Sequence, residues 1–208
     1  MRDAIRRKYD TLFASLFRYW DNFQTSDAQV NAIRNIAKYY KNWGIRLITR
    51  GQELDNEGPN MILSLEGGDA ITCTEDVQRL YDMGIRCITL QYGTNNSVAD
   101  AHGLTDVGKK VVKKMFDLKM IVDIAHAFPI TRQQILTLAE SSHCSPLISY
   151  THGSMTEDIA KDDIFYSMAE SRGMTKEEVL RLIRLGGYYR DWCNKTFLSK
   201  HRSRCRED

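Results

Sequence analysis

The chain has 208 residues, 42% hydrophobic and 27% charged, a balance that supports one globular domain with a sizeable core. Its formal net charge of +2 excludes a global field that would demand nucleic acid or an anionic membrane, and no run of apolar residues is long enough to cross a bilayer. Five cysteines, none in a Cys-x-x-Cys pair, lack the spacing of a zinc knuckle and read as reduced thiols.

Residues 1–44 are expected to be helical. Ile5, Tyr9, Leu12, Leu16, Tyr19 and Trp20 recur at helical spacing. Thr25, Ser26 and Asp27 then interrupt, and a second helix carries Val30, Ile33, Ile36, Ala37 and Tyr40 up to Gly44. The basic start lacks the continuous apolar core and cleavage site of a secretory signal, so a cytoplasmic location is expected.

From residue 45 short apolar runs alternate with helical segments. The runs are 45–48, 61–65, 87–90, 120–124 and 147–150. Helices are expected near 74–83, 105–118 and 131–142. Their starts are marked by Thr74, by Thr105, and by Thr131 with Gln134 at capping-box spacing. Thr175 and Glu178 mark another helix, which Gly186 and Gly187 close. Alternation of this kind means parallel strands joined by crossover helices, and continuous apolar runs suit strands buried on both faces. The fold class is therefore α/β. A (β/α)8 barrel and an open doubly wound sheet both fit, although no G-x-G-x-x-G follows the first strand. Five or six strands are visible, short of eight. The simplest division is a single domain, 1–208: a helical segment 1–44, a partial β/α barrel 45–190 and a basic tail 191–208.

Three runs end on residues that can bind metal. The run 61–65 leads into Glu66-Gly67-Gly68, the run 120–124 into Ala125-His126, and the run 147–150 into Thr151-His152-Gly153. The C-terminal ends of barrel strands are where such folds build their sites. One carboxylate and two imidazoles form a zinc shell that leaves a position open for water. A histidine after a strand can equally be structural, and a glutamate before Gly-Gly can simply cap a turn. Asp123, three residues before His126, could orient an imidazole or cap the following loop.

Several blocks resemble the membrane (renal) dipeptidase family of zinc peptidases. They are Leu65-Glu66-Gly67-Gly68-Asp69-Ala70; Met83-Gly84-Ile85-Arg86 before Ile88-Thr89-Leu90; Gly103-Leu104-Thr105-Asp106-Val107-Gly108; the strand ending Val122-Asp123-Ile124-Ala125-His126; and Pro146 to His152. The resemblance covers about residues 60–187. It implies a (β/α)8 barrel that cleaves dipeptides with two zinc ions bridged by a glutamate. Glu66 matches the bridging carboxylate, and His126 and His152 match the imidazoles of the second zinc. Arg172 resembles the arginine that holds the substrate carboxylate. Tyr92 stands where the family has a histidine and could donate a hydrogen bond to a developing oxyanion.

The chain also departs from the family pattern. The first zinc of the family is held by a His-x-Asp pair, and no such pair occurs in this sequence. The strands expected after Gly187 are not recognisable, and Asp191 has no motif support as a catalytic aspartate. The expected cofactor is Zn2+ at one site, and the expected small-molecule partner is a dipeptide. A homo-oligomer or a barrel-completing polypeptide is a possible further partner. The alternative is an incomplete relative that binds one metal or none and acts through partner binding.

Overall fold

A computed structural model describes residues 11–17, 31–51 (except 33, 34, 37, 40 and 43), 59–92, 95–158, 161, 171–190 and 197–198. Its centre is a parallel sheet. Strands β1 (Thr11–Phe17), β3 (Asn60–Glu66), β4 (Ile85–Thr89), β7 (Ile121–Asp123), β8 (Leu147–Tyr150) and β9 (Tyr188–Arg190) lie side by side in that order. Every neighbouring pair among these six is parallel. The short β2 (Arg46–Leu47) also pairs with the start of β3, and β10 (Phe197–Leu198) pairs antiparallel with β9. A two-stranded antiparallel piece, β5 (Ala99–Asp100) with β6 (Gly103–Leu104), stands off the main sheet.

Helices α1 (Thr74–Asp82), α2 (Asp106–Asp117), α3 (Pro129–Glu140) and α4 (Lys176–Arg184) supply the connections. They cover one face of the sheet. Met61, Leu63 and Leu65 of β3, Val122 of β7 and Ile148 of β8 are buried, and belong to the same core as Val111, Val112, Met115 and Phe116 of α2, Ile135 and Leu136 of α3, and Leu182 of α4. Residues on the opposite, concave face alternate with these, as the two-residue period of a strand requires. That face carries Phe13, Leu147 and Tyr188, which are 50%, 45% and 37% exposed. A cleft of about 410 Å³ lies there, lined by these three residues together with Ile121, Ser149, Thr151 and Arg190. The architecture is an open parallel half-barrel.

Several expectations are met. Thr105 caps α2 by accepting from Gly108 N, and Thr175 with Glu178 forms a reciprocal capping box at α4. The described positions in 31–42 are helical, and Gly44 follows with a positive φ of 69°.

Other expectations are corrected. Within the first expected helix, residues Thr11–Phe17 form β1, and its remaining positions lie outside the described residues. The apolar set Leu12, Ala14, Leu16 satisfies a two-residue period as well as a helical one, and seven residues in register with β3 settle the choice. The barrel portion therefore begins before residue 45. At α3 the predicted Thr131–Gln134 box does not form. The helix starts earlier, with Phe128 as N-cap and Pro129 in the first turn, and Gln134 Oε1 instead accepts from Leu104 N at 2.6 Å. α1 is preceded by Cys73 as N-cap, with Thr74 its first helical residue. After Gly187, β9 extends the sheet, and residues 197–198 of the expected tail form β10. Asp191 lies outside the described residues.

Candidate metal centre

The sheet brings the C-terminal ends of β3, β7 and β8 together. β3 ends on Glu66, in register with Thr89 of β4, which in turn pairs with Asp123 of β7 and so with Ser149 of β8. Glu66, His126 and His152 thus emerge from one end of the sheet. Each offers one ligand atom, and these atoms all lie within 4.8 Å of one another. Glu66 Oε1 is 3.1 Å from His126 Nε2 and 3.4 Å from His152 Nε2, and the two Nε2 atoms are 2.5 Å apart.

Local backbone geometry aims these groups. Gly67 N donates to Thr89 O at 2.9 Å, carrying the β3–β4 pairing past Glu66, and Gly67 itself has a positive φ of 116°. A Cβ on Gly68 would stand 2.4 Å from Leu90 O, so only glycine lets these backbones approach so closely. His126 has φ of 61°, a conformation uncommon outside glycine, and its carbonyl-side neighbour Ala127 is held by a buried arginine described below.

Burial by itself would raise the Glu66 carboxyl. Hydrogen bonds from His126 and His152, with their positive charge, outweigh it and hold the group at about 2. The hydrogen bond to Glu66 pushes the His152 imidazole up, against the opposing effect of burial. Arg190, at the end of β9, opposes that rise through its own charge. Glu66 is therefore an anion across the ordinary pH range, as a metal ligand must be.

The donor set fits zinc. Two ligands about 2.1 Å from a tetrahedral ion stand roughly 3.4 Å apart. The Glu66–imidazole separations are close to this, and the imidazole pair would have to open by less than about 1 Å to match it.

Around these three side chains sits a second set. The Tyr92 ring packs on His126 with centroids 4.3 Å apart, and the Arg172 guanidinium lies 5.9 Å from the Tyr92 ring centroid. All five residues singled out in the sequence therefore fall in one neighbourhood. Asp123 is buried beneath them. It accepts from Thr89 Oγ1 at 2.7 Å and from Ser149 Oγ, Thr151 N and Thr151 Oγ1, each at 3.0 Å. Thr151 Oγ1 in turn lies 2.9 Å from His152 Nδ1. Asp123 reaches an imidazole, but through Thr151 and on His152 rather than on His126.

Sequence reading missed three further residues. Arg132, 1% exposed, forms a two-point ion pair with Glu178 at 3.2 and 3.1 Å and donates to the carbonyls of Ala127, Arg172 and Gly173. It ties the loop of His126 to the segment of Arg172. Gln91 is buried, donates to Asp100 O and accepts from Phe128 N, joining the loops after β4 and β7. Arg132 sits within α3, and no local pattern marks its role. Arg190 would have been a candidate had β9 been recognised as a strand.

A parallel half-barrel with a Glu–His–His cluster at its C-terminal strand ends belongs to the class of barrel proteins whose site can hold a metal ion. The family model for membrane dipeptidase, peptidase family M19, matches residues 4–157, and the chain belongs to that family. It is 27% identical over 162 residues to an uncharacterized dipeptidase of Schizosaccharomyces pombe, covering 70% of this chain and 39% of that protein. It is 27% identical over 127 residues to dipeptidase 3 of Mus musculus, covering 54% of this chain and 25% of that one. The chain thus spans less than half the length of these curated relatives. Among solved structures, an amidohydrolase from Pseudomonas aeruginosa aligns with a TM-score of 0.73 at 15% identity, over 91% of this chain and 56% of that one. A metallo peptidase from Rhodobacter sphaeroides, bound to a phosphinate mimic of the dipeptide L-Ala-D-Ala, aligns with a TM-score of 0.71 at 14% identity, over 91% and 63%. These likenesses show the fold.

Proposed function

We propose that this chain binds one zinc ion through Glu66, His126 and His152 and acts in the hydrolysis of dipeptides. The observation that carries the reading is the convergence of one carboxylate oxygen and two imidazole nitrogens, within 4.8 Å, at the ends of three parallel strands. When bound, the ion would supply Lewis acidity and lower the pKa of a water. The chain's own residues do the rest. Glu66, already ionised, needs no proton removed before it can act as a ligand. Tyr92, whose ring packs on His126, would donate a hydrogen bond to an oxygen on which charge develops. Arg172, beside Tyr92, supplies a fixed cation for the carboxylate of a dipeptide. Its backbone carbonyl is held by Arg132 and by Tyr150 Oη, which keeps that segment in place.

A second reading has its own support. The sequence contains no His-x-Asp, and among the described residues one group of three could hold an ion. On this reading the chain binds a metal but turns over no dipeptide. Zinc titration by calorimetry tests what both readings share. Parent protein should bind about one ion tightly, since a tight site takes about three protein ligands. His126→Ala and His152→Ala should each weaken binding steeply, and His143→Ala, in the exposed loop at the other end of β8, should not. Equal affinity in all four proteins would remove the site. Hydrolysis of L-Ala-D-Ala by the zinc-loaded chain then separates the first reading from the second.

A further inference from the structure

We infer that Arg132 is a positioning residue: buried behind the site, it sets the place of the Arg172 cation relative to the His126 imidazole, and so makes the site select a dipeptide with a free carboxylate. The inference rests on the reading of Glu66, His126 and His152 as ligands and of Arg172 as the partner of the substrate carboxylate. Arg132 itself meets neither ion nor substrate.

One guanidinium spans the two segments that carry these groups. Nη1 donates to Ala127 O at 2.7 Å, on the residue after His126, and to Arg172 O at 3.2 Å. Nη2 donates to Gly173 O at 2.7 Å. Nε and Nη2 donate to the Glu178 carboxylate at 3.2 and 3.1 Å. An arginine has five N–H groups, and here each has an acceptor. Pairing with Glu178 uses two of them; the other three hold backbone on two separate segments. Glu178 is itself fixed, because Oε2 accepts from Thr175 N at 2.9 Å in the α4 capping box. The guanidinium is a rigid planar fork, so anchoring it on Glu178 dictates where the three carbonyls must lie.

Both segments need such an anchor. His126 has φ of 61°, so the direction of its ring depends on its neighbours being held. Gln91 Oε1 adds a restraint on the same loop by accepting from Phe128 N at 3.0 Å. On the other side, Met174 N donates to Ser154 O at 3.1 Å and Thr156 N to Met174 O at 2.9 Å, which joins the Arg172 segment to the loop after His152. Between the two segments lies the Tyr92 ring, 4.3 Å from the His126 ring and 5.9 Å from Arg172 Cζ. In a dipeptide the terminal carboxylate stands one residue beyond the scissile carbonyl, at most about 3.6 Å along an extended chain. A cation held at one place beyond the metal matches that length and mismatches a longer peptide.

Arg132→Lys keeps a positive charge opposite Glu178 but offers a single nitrogen, which cannot serve three carbonyls on two segments. The zinc-loaded chain is assayed on L-Ala-D-Ala and on its C-terminal amide, which lacks the charge. Parent protein should prefer the acid. In Arg132→Lys, kcat/KM for the acid should fall about 100-fold, as a misplacement of about 1 Å produces, and chiefly through KM. The amide has no charge for Arg172 to meet and should change little, so the preference disappears. The double variant Arg132→Met with Glu178→Leu, which leaves no unpaired buried charge, carries the same expectation. Val77→Ala, in the core side of α1, is the control for lost stability alone and should keep the parent preference. Amide exchange in metal-free protein needs neither zinc nor turnover. Loop amides exchange by local opening, so Phe128 and Met174 should exchange faster in Arg132→Lys and at the parent rate in Val77→Ala. A parent protein that cleaves acid and amide equally would overturn the proposal, as would a preference kept in Arg132→Lys or lost equally in Val77→Ala. A parent protein that cleaves neither compound defeats the dipeptidase reading instead. Exchange then decides the role of Arg132: faster exchange at both amides upholds the clamp, and parent rates in Arg132→Lys overturn it.

Discussion

Arg132→Met tests whether the buried ion pair holds the two site-bearing loops together. Arg132 and Glu178 are 1% and 3% exposed, and the guanidinium makes two contacts to the carboxylate and three to backbone carbonyls. Methionine fills much of the same volume but leaves the Glu178 carboxylate with only neutral donors, among them Thr175 N and Gln133 Nε2. Breaking a buried pair by removing one partner costs about 3–5 kcal/mol. The carbonyls of Ala127 and Gly173 also lose the arginine donor, at roughly 1 kcal/mol each once water reaches them. Arg172 O keeps its bond from Tyr150. The expected loss is then about 5–7 kcal/mol, or a fall in Tm of roughly 10–30 °C at the 2–4 °C per kcal/mol typical of chains this size. Urea denaturation followed by far-UV circular dichroism measures it. In the double variant Arg132→Met with Glu178→Leu the uncompensated charge is gone. It should recover at least about 2 kcal/mol relative to the single variant, even though the Glu178 half of the α4 capping box is lost. A single variant within about 1 kcal/mol of parent would refute the reasoning, because a buried pair cannot be broken so cheaply. A double variant as unstable as the sum of its parts would refute it too.

Gly108→Ala should destabilise by about 1–3 kcal/mol in the same assay, although alanine normally favours a helix interior by about 1 kcal/mol. The new Cβ would stand 1.9 Å from Val98 O, a backbone atom that cannot swing away. Burial pushes the Tyr150 hydroxyl up to about 12, from an ordinary value near 10. Its folded value is raised, so the stability it contributes is complete below pH 10 and is lost as pH climbs through 12; Tyr150→Phe should flatten that alkaline decline in denaturation midpoints. Gln91→Leu leaves Asp100 O and Phe128 N without their side-chain partner and should cost about 1–3 kcal/mol, with raised hydrogen exchange at Phe128. Elemental analysis of zinc-saturated protein should return about one tightly held ion per chain, and two would show that a second ligand set exists.

Much of the architecture was legible in the sequence by itself. The apolar runs ending at Leu65, Ile124 and Tyr150 correspond to β3, β7 and β8, and the metal-capable residues just beyond them do converge. This works because a parallel strand buried on both faces writes a continuous apolar run, and because the topology sends every such strand toward the same end of the sheet. The Thr105 and Thr175 caps were legible for a related reason: a cap is a contact between residues three apart, so the local sequence contains it whole.

What escaped was decided by contacts between distant segments. Residues 11–17 match two periodicities, and pairing with β3, some fifty positions away, selects the strand. Gln134 has the spacing of a capping residue, yet its side chain serves Leu104 N, thirty residues earlier. Asp123 could orient an imidazole or cap a loop, and Thr151, brought alongside by β8, makes it the partner of His152. Arg132 carries no local signature because its partners lie up to forty-six positions along the chain. Periodicity and capping record interactions within a few residues. The groups that orient the candidate site act across the sheet, and only the packed fold brings their atoms within hydrogen-bond reach.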